Sequence, residues 1–182
     1  MSSLSDLKGT YVIDVAHSRI GFSARYAMVT KVRGGFSEFE GTAQLDGDNP
    51  AASKIDVTIQ AASFDTGEQT RDNHVKSADF LDVENYPTLT FTSTDIKVTG
   101  TDTFELTGNL TIKDQTHPIT IPFTYAGTVK DPFGNLRSGF EGETVLNRKE
   151  YGIVWNAALE TGGVLVGENV ALDIEISAIK KS

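Results

Sequence analysis

FELTGNLTIKDQTHPITIPFTY, residues 104–125, decides the fold of this 182-residue chain. Phe104, Leu106, Gly108, Leu110 and Ile112 alternate with Glu105, Thr107, Asn109, Thr111 and Lys113, the period of a strand with one buried and one wet face. Asp114-Gln115-Thr116 reads as a tight hairpin connection, after which Ile119, Ile121, Phe123, Tyr125 and Val129 repeat the pattern. The same period governs most of the chain. Ile20, Phe22, Ala24 and Tyr26 follow it, as do Ile55, Val57 and Ile59, residues 140–146, and the set Val170, Leu172, Ile174, Ile176 and Ala178. With residues 10–15, 35–45 and 89–98 the count is about eight or nine strands.

Gly108, Gly127 and Gly142 fall inside these runs, and an interior glycine marks a bend, a bulge or a close approach. A sheet that curls needs such points. The expected architecture is all-β, a closed antiparallel barrel of about eight strands, because closure removes exposed edges and leaves an interior that side chains or one ligand can fill. A filled sandwich satisfies the same pattern. No repeat, low-complexity tract or linker divides the chain, so one domain is expected.

Composition narrows the function classes. Lys and Arg number 16 against 25 Asp and Glu, a formal charge of -9 that repels phosphate backbones and anionic membranes, so nucleic acid is no expected partner. There is no cysteine, which excludes disulfides, thiolate metal sites and Cys nucleophiles. Three histidines, none at i, i+4 spacing, carry no metal signature. The first residues, MSSLSDLKGT, have neither a basic n-region nor an apolar run, and no later segment approaches the ~18 apolar residues of an integral membrane segment, so a cytoplasmic protein is expected. The composition admits a homodimer without specifying one. Gly162-Gly163-x-x-x-Gly167 lacks the Lys-Ser/Thr and following helix of a phosphate loop and reads as a loop before the last strand.

Residues 65–87, DTGEQTRDNHVKSADFLDVENYP, interrupt the alternation. A connection this long is functional or carries its own structure. Thr66 with Gln69, and Asp65 with Glu68, have capping-box spacing, and residues 69–78 have room for two or three helical turns. The block expected to hold this short helix is residues 66–81. Val75 and Ala78, followed by Phe80 and Leu81, give it an apolar stripe suited to covering a barrel end, and Pro87 restarts an extended strand.

The order Asp14-x-x-His17-Ser18-x-Ile20-x-Phe22, Val32-Arg33-Gly34-Gly35-Phe36, Arg71-Asp72-x-His74-Val75, Ser77-x-Asp79-Phe80-Leu81-Asp82-Val83, Tyr86-Pro87-x-Leu89-x-Phe91, Gly108-x-Leu110-Thr111-Ile112 and Asn147-Arg148-x-x-Tyr151-Gly152 resembles the YceI family of polyisoprenoid-binding proteins. The resemblance runs from about Gly9 to Ile179. It implies a lipocalin-like barrel over residues 9–182, with residues 1–8 as a flexible N-terminal segment, and an elongated apolar cavity for a prenyl or related chain. It implies no catalytic chemistry and no cofactor. The ligand it implies is a polyisoprenoid lipid, such as a prenyl chain or an isoprenoid quinone, held for storage or transport. The chain departs from the family at Tyr26, where relatives often have His, and at the hairpin of residues 114–118, where Gly and a basic residue before Pro are common.

Candidate ligand-binding residues are the inward members of the alternating sets: Phe22, Tyr26, Phe36, Ile59, Phe91 and Leu106, then Leu110, Phe123, Phe140 and Trp155, with Phe80 from the connection. Alternation alone fits a filled barrel as well as a hollow one; the resemblance favours the hollow one. Arg71 and His74, at i and i+3, share a helix face that either binds a polar headgroup or ties the helix to the barrel rim. Asp14, His17 and Ser18 read as a strand-ending turn with side chains bonded to nearby backbone, and His117 as an exposed turn residue. Arg148 is either buried against a carboxylate or solvent-facing. The function expected is a non-catalytic lipid carrier or store. The alternatives are an enzyme using His74 with Asp72 or His17 with Asp14 as acid and base, and a ligand-free interaction module with a solid core.

Overall fold

The inward positions of the alternating runs become the lining of a closed barrel. A computed structural model describes residues 3–182. Its strands are β1 (Lys8–Ile13), β2 (Arg19–Tyr26), β3 (Thr30–Phe36), β4 (Phe39–Asp46), β5 (Lys54–Gln60), β6 (Phe64–Asp65), β7 (Thr88–Val98), β8 (Thr103–Ile112), β9 (Gln115–Lys130), β10 (Leu136–Asn147) and β11 (Val166–Lys180). The α-helix is α1 (Gln69–Lys76). Strands β1, β4, β5, β7, β8, β9, β10 and β11 form an antiparallel ring that closes through Tyr11↔Lys180, Val12↔Ile179 and Ile13↔Ala178.

Strands β2, β3 and β6 continue that wall. Residues 178–180 of β11 pair with β1 and residues 166–175 pair with β2, so β1 and β2 lie end to end along one edge. Their break is the 3-10 turn Val15–His17, capped by the Asp14 carboxylate accepting from the Ala16 N–H. Strands β3 and β4 continue each other in the same way against them. The turn at Asp14 to Ser18 therefore bends a long strand in its middle instead of ending one.

In β8, Phe104, Leu106, Gly108, Leu110 and Ile112 are all buried, as the alternation predicts. In β9, Ile121, Phe123 and Tyr125 point inward, but Val129 is 63% exposed. The register against β10 slips between Gly139 and Phe140, opposite Ala126, where Gly127 adopts φ +120. One extra residue reverses the faces of all that follow. Thr128 turns toward Ser138, and Val129 turns out. Pro118 and Pro122 also lie within β9, on the part that pairs with β8 but not with β10, where the missing donors leave no ladder bond unmade. His117 is correspondingly a strand residue, its Nε2 2.8 Å from the Glu150 carbonyl and its ring edge-on to Tyr151.

The barrel has two different ends. At one lie the chain termini and the connections β4–β5, β7–β8 and β9–β10. Here Leu4–Asp6 forms a 3-10 turn, Leu7 is buried and the Gly47 N–H donates to the Leu7 carbonyl at 2.8 Å. Residues 3–8 thus pack across the barrel, in contrast to the flexible segment expected over residues 1–8; residues 1 and 2 lie outside the described residues. At the other end sit the β2–β3 and β8–β9 hairpins, residues 64–87 and residues 148–165. Helix α1 begins at Gln69, as expected, and ends at Lys76, two residues short of 78, but neither Thr66 nor Asp65 caps it. Glu68 is its cap, accepting from the Thr70 and Arg71 N–H groups, while Asp65 accepts from Gly67. Ala78 is exposed and the covering falls to Phe80 and Leu81, both 7% exposed. Among the described residues no helix is long and apolar enough to cross a membrane.

Two of the strand glycines make room for rings. A Cβ on Gly108 would lie 2.4 Å from the Phe91 ring, and one on Gly142 would lie 2.6 Å from the Phe123 ring. These rings lie flat against the wall because the neighbouring strand has no side chain there. Gly108→Ala should therefore cost about 1–3 kcal/mol by overpacking. Gly139→Ala, whose Cβ would meet only Ala126 at 3.5 Å, should be neutral or slightly stabilising. Urea unfolding of the two variants checks the contrast.

Candidate functional site

An apolar cavity of about 200 Å³ runs inside the ring from the level of Ile20, Ile59 and Leu172 to Leu4, Gly47 and Pro50 at the terminal end. Its wall is hydrocarbon and aromatic for most of its length. Of the candidates read from the sequence, Ile59, Phe91, Leu106, Leu110, Phe123 and Phe140 line it. The Phe104 ring stacks on Phe123 at 5.5 Å and meets Phe140 edge-on at 6.0 Å, forming an aromatic waist. Tyr11, Asp46 and Ser53 are among the residues that border the cavity toward the terminal end, where Asp46 Oδ1 accepts from the Asp48 and Asn49 N–H groups of its own turn. Ser53 Oγ accepts from the Asp46 N–H at 2.9 Å, and burial pushes the Tyr11 phenol above its ordinary pKa. Below them Tyr125, Thr128 and Ser138 form a chain of hydroxyls at the β9 bulge.

The other candidates lie elsewhere. Phe22, Phe36 and Phe64 pack together, Phe22 stacked on Phe64 at 4.9 Å, in the β2–β3–β6 extension. Phe80, His74 and Trp155 form a second cluster, His74 edge-on to both rings at 5.1 and 4.7 Å. These two clusters cap the helix end and do not line the cavity. Tyr26 is 45% exposed at the β2–β3 turn and is likewise outside it. Phe22 lies opposite Leu172, at the edge of the lumen, but its ring turns to Phe64, while Phe80 and Trp155 stand outside the strands, where alternation does not apply.

The polar candidates are bound into the connection. Arg71 donates from Nε to Thr66 Oγ1 at 2.7 Å and from Nη2 to the Thr66 carbonyl at 3.1 Å. Asp72 is buried and accepts from the Thr66 N–H at 2.9 Å. His74 pairs with Asp79 at 2.9 Å, so the His74/Asp72 acid–base pair considered from the sequence does not form. Asp14 does meet His17, at 2.7 Å, and also Arg137, at 2.6 Å, which is held in turn by Asp131 at 3.1 Å. Arg137 and His17 hold the Asp14 carboxyl below the usual carboxylate range. Ser18 Oγ donates to the Asp14 carbonyl at 2.7 Å, so the triad-like residues serve the strand bend. None of them lines the cavity.

Arg148 is 4% exposed, and its partners are not the expected carboxylate. Its guanidinium donates to four backbone carbonyls, of Ile153, Trp155, Val166 and Gly167, at 2.8–3.1 Å. It thereby fastens residues 152–165 over the helix end. Beside it the Tyr151 hydroxyl is buried without a hydrogen-bond partner, and burial raises its pKa. The cavity residues not named from the sequence are chiefly Tyr11, Phe104, Leu172, Ile174 and Ile176. They share the period of the named ones, so only strand closure could select them.

Among the described residues no group of His, Cys, Asp or Glu is arranged to hold a metal ion. The profile of the YceI-like domain matches residues 11–178. A UPF0312 protein of Azotobacter vinelandii is 43% identical over 145 residues, covering 79% of this chain and 76% of the relative. Among solved structures, Burkholderia cenocepacia BcnA superposes with a TM-score of 0.79 at 25% identity, over 91% of this chain and 98% of that one. A polyisoprenoid binding domain from Saccharophagus degradans superposes with a TM-score of 0.69 at 12% identity, over 94% and 98% of the two chains, a likeness of fold.

Two predictions test the polar framework. Asp14, with its pKa lowered in the folded state, stabilises above the ordinary aspartate value of about 4, and that contribution is lost as pH falls through the folded value. Asp14→Asn should therefore lower the melting temperature at neutral pH and flatten part of the acid limb below about pH 4. Arg148→Lys retains the charge but not the fork, and should cost about 3 kcal/mol. Limited proteolysis should then cut within residues 152–165 before the barrel unfolds.

Proposed function

The chain belongs to the YceI-like family, and on that footing we propose that its barrel holds a polyisoprenoid or similar long-chain lipid, for storage or transport, without transforming it. The observation that carries this reading is the cavity wall, which offers hydrocarbon and aromatic contact along the barrel. Each methylene moved from water into such a site gains roughly 0.8 kcal/mol, before the cost of ordering the chain. The polyisoprenoid binding domain of like fold supports the same ligand class. Both histidine–carboxylate pairs stand away from the wall, at Asp14 and Asp79, which is the placement a carrier requires and a catalyst does not.

The cavity volume sets a condition on the ligand. An apolar void of about 150 Å³ accommodates a benzene ring, and drug-sized ligands occupy about 300–1,000 Å³. At about 200 Å³, the lumen takes about one or two isoprene units as it stands. A longer chain leaves through the terminal end. The polar rim there is acidic, with Asp46 beside the cavity and Lys8 already paired to Asp48 at 2.7 Å. An uncharged head such as a quinone suits this rim better than a diphosphate.

Native mass spectrometry of the purified protein, with extraction and identification of any lipid, tests the reading. A stoichiometric prenyl lipid is the expected result, and Leu106→Trp, which projects into the aromatic waist, should reduce loading at least tenfold while leaving far-ultraviolet circular dichroism unchanged. A bare protein mass that persists after incubation with polyprenyl lipids would sink the proposal.

A further inference from the structure

We propose that the β2–β3 hairpin docks this protein onto anionic lipid surfaces, its turn inserting among the headgroups and its outer face lying against their phosphates. This stands independently of what fills the barrel.

The net charge of -9 is unevenly spread. From Arg19 to Phe36 there is no Asp or Glu, while Arg19, Arg25, Lys31 and Arg33 are all basic. All four are exposed, and the pairings Arg25↔Lys31 and Ser23↔Arg33 put them on one face of the hairpin. Like charges directly opposed across strands are unfavourable. Among the described residues none of the four enters an ion pair; Arg19 makes one long bond, to the Gly34 carbonyl at 3.4 Å.

The tip of the same hairpin is apolar. Met28 is 56% and Val29 80% exposed, next to half-exposed Tyr26. Ala27 and Met28 have φ of +51 and +69, and the Val29 N–H donates to the Tyr26 carbonyl at 3.3 Å. Three residues, Ala27 to Val29, connect the strands, and the first two hold left-handed backbone that Gly and Asn adopt most readily. Using Ala and Met there strains the backbone, and what the strain secures is an apolar tip. The tip is also supported. The Ala27 N–H donates to the Leu165 carbonyl at 2.7 Å, and the Met28 thioether lies against Gly163, beside exposed Val164.

Charge is sorted along the barrel. The carboxylates Glu141, Glu143, Asp173 and Glu175 gather on the outside of β10 and β11, where Glu175 pairs with Arg19 and Asp173 with Gly21 at the root of the hairpin. Along the strand from Arg25, Glu175 and Glu141 stand about 20 Å away and Asp173 and Glu143 about 13 Å. Near the tip, Glu168 is neutralised by Lys149 at 2.7 Å, leaving Glu150 and Glu160 as the acids of residues 148–165. In the neighbouring connection Asp65, Glu68, Asp72, Asp79 and Asp82 bond groups of their own segment. An apolar insertion flanked by unpaired cations is the chemistry that anionic bilayers retain.

Flotation of the full chain with vesicles of phosphatidylcholine, with and without a minor share of phosphatidylglycerol, tests this at low and high salt. Binding should require the anionic lipid and weaken with salt. Each cation contributes about fivefold, so Arg25→Gln/Lys31→Gln/Arg33→Gln should weaken binding on the order of a hundredfold. Ala27→Asn/Met28→Gly/Val29→Thr should raise the melting temperature by relieving the turn and still weaken vesicle binding about tenfold, which separates docking from folding. Three outcomes would overturn the proposal: no binding of the wild type to anionic vesicles, equal binding by the charge variant, or, in sedimentation, a dimer that the charge variant abolishes while vesicles bind nothing.

Discussion

The closure of β1 onto β11 is the constraint on which the rest depends. Three residue pairs, Tyr11↔Lys180, Val12↔Ile179 and Ile13↔Ala178, convert a long antiparallel meander into a ring. Without them both strands would present open edges and the alternating apolar faces would have no common interior. The fifteen residues of β11 carry an unusual share of this task, pairing with β10 on one side and with β1 and then β2 on the other. To follow that edge the early strands must bend, which the capped turn at Asp14 provides. The Asp14–Arg137–Asp131 network fixes the bend to the adjacent wall.

The cavity follows from closure together with the choice of inward side chains. Large rings from β7, β8, β9 and β10 would fill so narrow a barrel if each projected toward the axis. Glycines at 108 and 142 allow the Phe91 and Phe123 rings to lie along the wall, leaving space on the axis. The helix end is filled instead by the two aromatic clusters around Phe64 and Trp155, held beneath segments that spend their polar groups on themselves. Arg148 shows the extreme of this: its fork bonds four carbonyls, two in the following loop and two at the start of β11, so a buried cation organises backbone. Desolvating a guanidinium is costly, and four carbonyl partners are the compensation.

The two ends of the barrel therefore differ in chemistry as well as in shape. The terminal end borders the cavity with Tyr11, Asp46 and Ser53, while the opposite end is covered by residues 64–87 and 148–165, with the basic hairpin and its apolar tip projecting beside that cover. A chain with 25 acidic and 16 basic residues can keep its overall repulsion from anionic surfaces and still concentrate cations on one structural element.

Period and parity determined the walls, since a two-residue repeat is a local property that each strand states for itself: residues 104–112 read as a half-buried strand and are one. The glycines inside strands and the long connection at residues 65–87 were also legible, as was the family. Tertiary structure alone decided which inward residues meet a lumen. Phe91 and Phe22 have the same local pattern, yet one lines the cavity and the other packs in the cap, because strand register sets Phe22 at the edge of the lumen and its ring turns to Phe64. It decided that Val129 faces out, through a bulge that shows locally only as Gly127. It also assigned the partners of Arg148, His74 and Arg71, since a polar side chain bonds whatever the fold brings within about 3 Å, and sequence separation does not measure that distance.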